Sequence, residues 1–198
     1  MQFRMQTVGK LATNAYIVFD EKREDALVID PGAEPEAIRI ALEGRKLCGI
    51  LLTHGHADHI GAVAALRSEE APVFIHKKDA GMLTNPSLSL AAMVGGEPVQ
   101  GEPDYCIKEG SMTLAGLSIE VLHTPGHTKG SVCFQIGDTL FSGDTLFSCG
   151  VGRTDLPGGN EEALRASLQK VFALPEDMLV YPGHGMRTRI GDERRYYE

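Results

Sequence analysis

A chain of 198 residues with 42% hydrophobic and 23% charged residues has the make-up of one soluble globular domain, residues 1–198. Its formal net charge of −8 and pI of about 5.4 argue against a nucleic-acid surface, and no apolar stretch approaches the roughly 20 residues that span a bilayer. Met1-Gln2-Phe3-Arg4-Met5-Gln6 lacks the apolar core of a signal peptide, so the cytoplasm is the expected compartment. Cys48, Cys106, Cys133 and Cys149 show no CxxC pairing and read as reduced thiols.

In chain order, residues 2–7, 14–19 and 26–29 read as strands separated by turns rich in Gly, Pro and charged residues, an antiparallel meander. Glu34-Pro35-Glu36 opens a helix that ends at Gly44, with Ile38, Ala41 and Leu42 on its apolar face. The run from Cys48 to Leu52 reads as a buried strand. After the ligand-rich segment that follows it, helical spacing of Ile60, Val63, Ala64 and Leu66 predicts a helix over about 59–69. Residues 72–75 form a short strand, and His76 is expected to head a helix with Lys77, Lys78 and Asp79. Residues 84–104, rich in Gly, Pro and Ser, are expected to make a long excursion with little regular structure.

Strands are predicted again at 119–122, 131–136 and 139–141, with a hairpin at Gly137-Asp138. Glu161 to Phe172 is an amphipathic helix, residues 178–181 a last strand, and the charged tail from Arg187 is expected to fray. This order suits two facing sheets with helices outside, the two halves loosely duplicated.

The chemistry concentrates in Thr53-His54-Gly55-His56-Ala57-Asp58-His59, directly after the buried strand. Extended chain puts His54 and His56 on one side, where both can hold one metal. A turn into helix at Asp58-His59 lets that pair face a second metal nearby. Further strand-end candidates are His127 in Thr124-Pro125-Gly126-His127-Thr128, Asp144 in Gly143-Asp144-Thr145, and His184 in Gly183-His184-Gly185. Glycine beside each permits tight turns and close backbone approach.

These motifs together resemble the metallo-β-lactamase superfamily, and within it they are most similar to the short glyoxalase II-like hydrolases. The resemblance runs from residue 53 to 185, and the strand pattern from residue 2 also fits. It implies an α/β fold, the αββα four-layer sandwich, with a dinuclear metal site on one edge. One ion would take His54, His56 and His127, the other Asp58, His59 and His184, and Asp144 would bridge them. Imidazole and carboxylate suit zinc, while iron and manganese also accept mixed N/O donors. Water on such ions has its pKa lowered to about 7, which gives a hydroxide nucleophile for attack on a polarised carbonyl, with Asp58 placed to orient it.

The resemblance implies hydrolysis of a small-molecule thioester, such as S-lactoylglutathione, with no nucleic-acid or membrane partner. Longer glyoxalase II enzymes carry a C-terminal helical domain, whereas only residues 185–198 follow His184 here. They also carry aromatic residues where this chain reads Thr154-Asp155 and Gly185-Met186. Shorter members share the segment from Gly150 to Asp155. The alternative, from the oxidoreductase class, is a persulfide dioxygenase, a related group with a similar Gly-Arg-Thr-Asp segment and one iron at the position of His54, His127 and Asp144. Arg153 matches a basic glutathione-contacting place and is expected to bind substrate. Asp30, before Pro31-Gly32, is expected to support the ligands without touching metal.

Overall fold

β1 (Gln2–Val8) is exposed or half-buried up to Val8, whereas β2 (Thr13–Phe19) and β3 (Asp25–Ile29) are buried along nearly their whole length, and the fold follows from where their two faces go. Every residue of β2 is buried. Tyr16 and Val18 point one way; Ala15, Ile17 and Phe19 point the other. The structure, a computed structural model, describes residues 1–94 and 100–197.

After β3 come α1 (Pro35–Ala41), β4 (Lys46–Leu51), α2 (Ala57–Ile60), α3 (Val63–Leu66), β5 (Val73–His76), α4 (Ala91–Val94) and β6 (Tyr105–Ile107). The strands so far form one six-stranded sheet in sequential order, antiparallel from β1 to β3 and parallel from β3 to β6. The second half supplies β7 (Gly110–Leu114), β8 (Leu117–His123), β9 (Val132–Ile136), β10 (Thr139–Gly143), the small hairpin β11 (Leu146–Phe147) and β12 (Gly150–Val151), α5 (Glu161–Phe172), β13 (Leu179–Pro182), β14 (Thr188–Arg189) and α6 (Ile190–Arg194). Apart from the β11–β12 hairpin, which pairs only with itself, these strands build a second six-stranded sheet, ordered β14-β13-β10-β9-β8-β7.

Three apolar layers hold the stack together. Tyr16, Val18, Leu27 and Leu51 meet Ile119, Val121, Phe134 and Phe141 between the sheets. Ile17, Val28 and Ile50 pack outward under Ile38 of α1 and Val63 of α3. Cys133, Leu140 and Val180 pack outward under Leu164, Leu168 and Val171 of α5. The order is helix, sheet, sheet, helix, and burial of this extent is the main favourable term in folding. Among the described residues no helix is long and apolar enough to cross a membrane.

The structure departs from expectation in four places. The helix expected over 59–69 is two short turns, because the Ala62 N–H donates to Pro31 O at 2.9 Å instead of continuing the helical ladder. His76 ends β5, its ring stacked 4.2 Å from that of His123, and heads no helix. The tail is tied down: β14 pairs with β13, Ile190 is fully buried, and Glu193 accepts hydrogen bonds from Cys149 N (2.9 Å) and Thr188 Oγ1 (2.5 Å). Strands β6 and β7 and the two-residue strands β11 and β12 lie outside the expected set; β6 and β7 are sheet edges, and β6 leaves Tyr105 and Cys106 exposed, so little patterning marks them. Of the excursion expected at 84–104, residues 95–99 lie outside the described residues.

Candidate metal centre

All seven candidate ligands sit past the C-terminal ends of strands, on one edge of the stack. His54 and His56 follow β4, Asp58 and His59 lie in α2, and His127, Asp144 and His184 follow β8, β10 and β13. Backbone hydrogen bonds lace these ends together: Val132 N–H to Thr53 O (2.8 Å), Gly183 N–H to Gly143 O (2.8 Å) and Asn14 N–H to Gly183 O (2.7 Å). Gly183 has to be glycine here, since a Cβ would stand 2.3 Å from Asp144 Oδ1 and 2.6 Å from His59 Cε1.

Two clusters of the candidate ligands result, and Asp30 groups with His54 and His59 in a third that overlaps both. His54, His56 and His127 offer ligand atoms within 4.8 Å of one another, and so do Asp58, His59 and His184. His56 Nδ1 and His127 Nε2 are 2.9 Å apart; His59 Nε2 and His184 Nε2 are 3.3 Å apart. Asp144 stands between the clusters, Oδ1 3.4 Å from His59 Nε2 and Oδ2 3.6 Å from both His127 Nε2 and His184 Nε2. His54 Nε2 and Asp144 Oδ1 are buried without a hydrogen-bond partner among the described residues. Buried polar atoms are otherwise nearly always satisfied, and these orphaned acceptors fit a cation. The donor set, imidazole and carboxylate without thiolate, fits zinc, iron or manganese.

Carbonyl and carboxylate oxygens behind the rings decide which nitrogen faces inward. His127 Nδ1 donates to Arg153 O (2.8 Å) and His184 Nδ1 to Leu11 O (3.1 Å), so each keeps Nε2 for the site. Asp30 does the same for two rings at once. Its Oδ2 accepts from His59 Nδ1 (2.9 Å) and from Thr53 Oγ1 (2.6 Å), and Thr53 Oγ1 lies 3.1 Å from His54 Nδ1. Its Oδ1 accepts the Thr53 N–H at 2.7 Å. Asp30 is 1% exposed, and both of its oxygens are engaged by these donors.

Charge is divided unevenly between the clusters. Burial, reinforced by neighbouring imidazoles, holds His54 well below the usual histidine range and pushes His56 down to about 4. Burial also opposes a charge on His59, but the carboxylates of Asp144, Asp58 and Asp30 outweigh it and lift that ring well above the usual value. His184 is raised too, against burial, by Asp58 and Asp144. Conversely, burial disfavours the Asp58 and Asp144 carboxylates, yet His59 and His184 hold both below the usual range.

One residue that sequence reasoning passed over binds the two metal-site loops together. Asp79, 1% exposed, accepts from Gly130 N–H (2.7 Å), Thr128 Oγ1 (2.6 Å) and Gly55 N–H (3.3 Å), next to His127 on one side and between His54 and His56 on the other. Burial raises its pKa. A lone Asp in Lys77-Lys78-Asp79 carries no sequence signal for this task. Arg153 lines the cavity in front of the metal centre, which measures about 400 Å³, and its guanidinium makes a two-pronged pair with Asp155, both bonds 2.7 Å.

Fold and site together define a class: the chain belongs to the metallo-beta-lactamase superfamily, whose family model matches residues 8–184. It is 39% identical to a probable metallo-hydrolase, YqgX, of Bacillus subtilis, over 98% of this chain and 95% of that one. It is 35% identical to the hydroxyacylglutathione hydrolase GloC of Haemophilus influenzae, over 98% of this chain and 96% of the relative. Among solved structures, BLEG-1 B3 metallo-beta-lactamase superposes with a TM-score of 0.91 at 39% identity, covering 98% and 97% of the two chains. TTHA1623 in a di-iron-bound form superposes with a TM-score of 0.87 at 40% identity, covering 97% of each.

Proposed function

We propose that this chain is a dinuclear metal-dependent thioester hydrolase of the glyoxalase II type, acting on an S-acylglutathione such as S-lactoylglutathione. The observation that carries this reading is the pair of three-ligand clusters joined by Asp144 at the floor of an open cavity. Similarity to GloC over nearly the full length of both chains supports the substrate class.

His54, His56 and His127 would hold one divalent ion, Asp58, His59 and His184 the other, and Asp144 both; zinc is the proposed metal, with iron or manganese as alternatives. Bound there, such ions bring the pKa of water down to about 7 and polarise a carbonyl. The protein's own groups fix the geometry. Asp30, Thr53, Arg153 O and Leu11 O hold the imidazoles of His54, His59, His127 and His184 in one tautomer, so little reorganisation of these rings remains when the reaction occurs. Asp58 Oδ2, 3.2 Å from His184 Nε2, is placed to accept a hydrogen bond from the attacking water. Water oxygen bonds to the thioester carbon, the carbon–sulfur bond breaks, and the departing thiolate takes up a proton to leave as the thiol. Arg153 is proposed to receive a carboxylate of the thiol portion. Its pair with Asp155 is exposed on both sides, and such pairs contribute little, so a substrate carboxylate can replace it.

A dioxygenase working on one iron at His54, His127 and Asp144 leaves Asp58, His59 and His184 without a task. The test is metal-loaded protein assayed on S-lactoylglutathione and, in parallel, on glutathione persulfide with an oxygen electrode. Thiol release without oxygen uptake is the expected result; oxygen uptake with inert thioester overturns the reading.

A further inference from the structure

The cavity in front of the metal centre has a polar floor and apolar walls. Four separate segments bring apolar side chains to it: Leu11 from the β1–β2 turn, Leu90 and Met93 from the excursion, Phe147 and Val151 from the β11–β12 hairpin, and Leu156 from the following loop. Leu11 is 51% and Met93 71% exposed, so these walls are not borrowed from the core. Leu90 adopts a left-handed backbone at φ +63, a conformation that leucine rarely takes and that tends to survive where surrounding structure holds a side chain in a required place. Among the described residues Arg153 is the one arginine or lysine on this lining, and Asp155 pairs with it.

We infer that, among the thioesters this site cleaves, it prefers those whose acyl arm is an apolar chain longer than a lactoyl group, seated against Leu90, Met93, Phe147 and Leu156. This rests on the thioester reading above for the reaction, and on the lining for the chemistry of the group received. A thioester has two arms, and the floor fixes only its carbonyl. A glutathione-type thiol carries carboxylates, which an apolar wall would strip of water without a partner, at a loss; Arg153 is the group on the rim that can meet one. An aliphatic acyl chain, in contrast, gains from every methylene it takes out of water. A cavity of about 400 Å³ lies toward the small end of the roughly 300–1,000 Å³ of small-molecule sites, which favours a chain of moderate length over a long lipid.

The experiment is a chain-length series on metal-loaded protein: acetyl, butyryl, hexanoyl and octanoyl thioesters of N-acetylcysteamine, a neutral thiol that makes no demand on Arg153. Expected is a rise in kcat/KM of up to about fourfold per methylene until the chain outgrows the cavity. Leu90→Asn removes apolar wall while placing a residue that tolerates the left-handed backbone, so the variant is expected to fold and to flatten the slope. The same series as uncleavable S-alkyl thioethers, titrated calorimetrically, reads affinity without turnover. Affinity rising with chain length while no thioester is cleaved would sink the hydrolase reading and leave the apolar acyl site standing. A flat or falling slope in both series, or a slope unchanged in Leu90→Asn, overturns the inference.

Discussion

Replacing Asp79 by alanine isolates how much the loop clamp contributes. The carboxylate receives three donors, and their fates differ on its removal. Thr128 Oγ1 keeps Ser131 Oγ at 2.7 Å as a second partner, and the Gly55 bond is long at 3.3 Å, so neither loss is complete. Gly130 N–H, at 2.7 Å and buried, is left with nothing. An unsatisfied buried donor costs about 1–3 kcal/mol, so Asp79→Ala should lose about 2–4 kcal/mol in all, a large part of the ~5–15 kcal/mol that holds a typical domain folded. Urea unfolding of metal-free protein reads this as a lower midpoint at unchanged slope. The His127 loop should loosen with it, so metal bound by His54, His56 and His127 should weaken more than metal at the other cluster. Asp79→Asn, which keeps an oxygen for Gly130, should recover most of both losses. An alanine variant with the wild-type midpoint and wild-type metal affinity would show that the three hydrogen bonds are incidental.

Other perturbations probe the remaining parts of the site. Asp30→Ala frees the His59 ring and strands the Thr53 N–H, and should weaken metal binding by about 10–100-fold; unchanged affinity by competition with a chelator would reduce Asp30 to a turn residue. Arg153→Ala should raise KM roughly 10-fold on an anionic glutathione thioester, with kcat little changed and a neutral thioester spared. Equal effects on the two substrates would reject carboxylate binding. In metal-free protein the carboxylates of Asp144, Asp58 and Asp30 raise the His59 pKa against burial, whereas burial pushes His56 down to about 4, so His59 holds its proton to higher pH. Metal entering the Asp58, His59 and His184 cluster therefore competes with a more firmly held proton, and its affinity should fall sooner on acidification than that of the other cluster. Metal titrations followed by calorimetry across pH measure this. Equal pH dependence at the two clusters would contradict the uneven division of charge.

Much of this site is legible in the sequence because its ligands are dense and local. His54, His56, Asp58 and His59 fall in one short segment after an apolar run, and His127, Asp144 and His184 each stand beside glycine at a strand end. The sandwich follows from the order of strands and helices and from strands such as β2, whose alternate side chains enter the apolar layers on both sides of the sheet. What escapes is non-local. Asp79 reaches partners 24, 49 and 51 residues away, and no local pattern encodes such pairings. The break between α2 and α3 depends on Pro31 O, a competitor for the Ala62 N–H that helical spacing cannot reveal. The tail looks like solvated charge, yet Ile190 and Glu193 dock it under the β11–β12 hairpin.

The central claim is that seven side chains form one dinuclear centre with Asp144 shared between its halves. Metal content per chain, measured by mass spectrometry on wild-type protein and Asp144→Ala purified without chelator, tests it most directly. Two ions per wild-type chain and loss of most metal from both clusters in the variant is the result expected. One ion per wild-type chain, or a variant that keeps two, would contradict it.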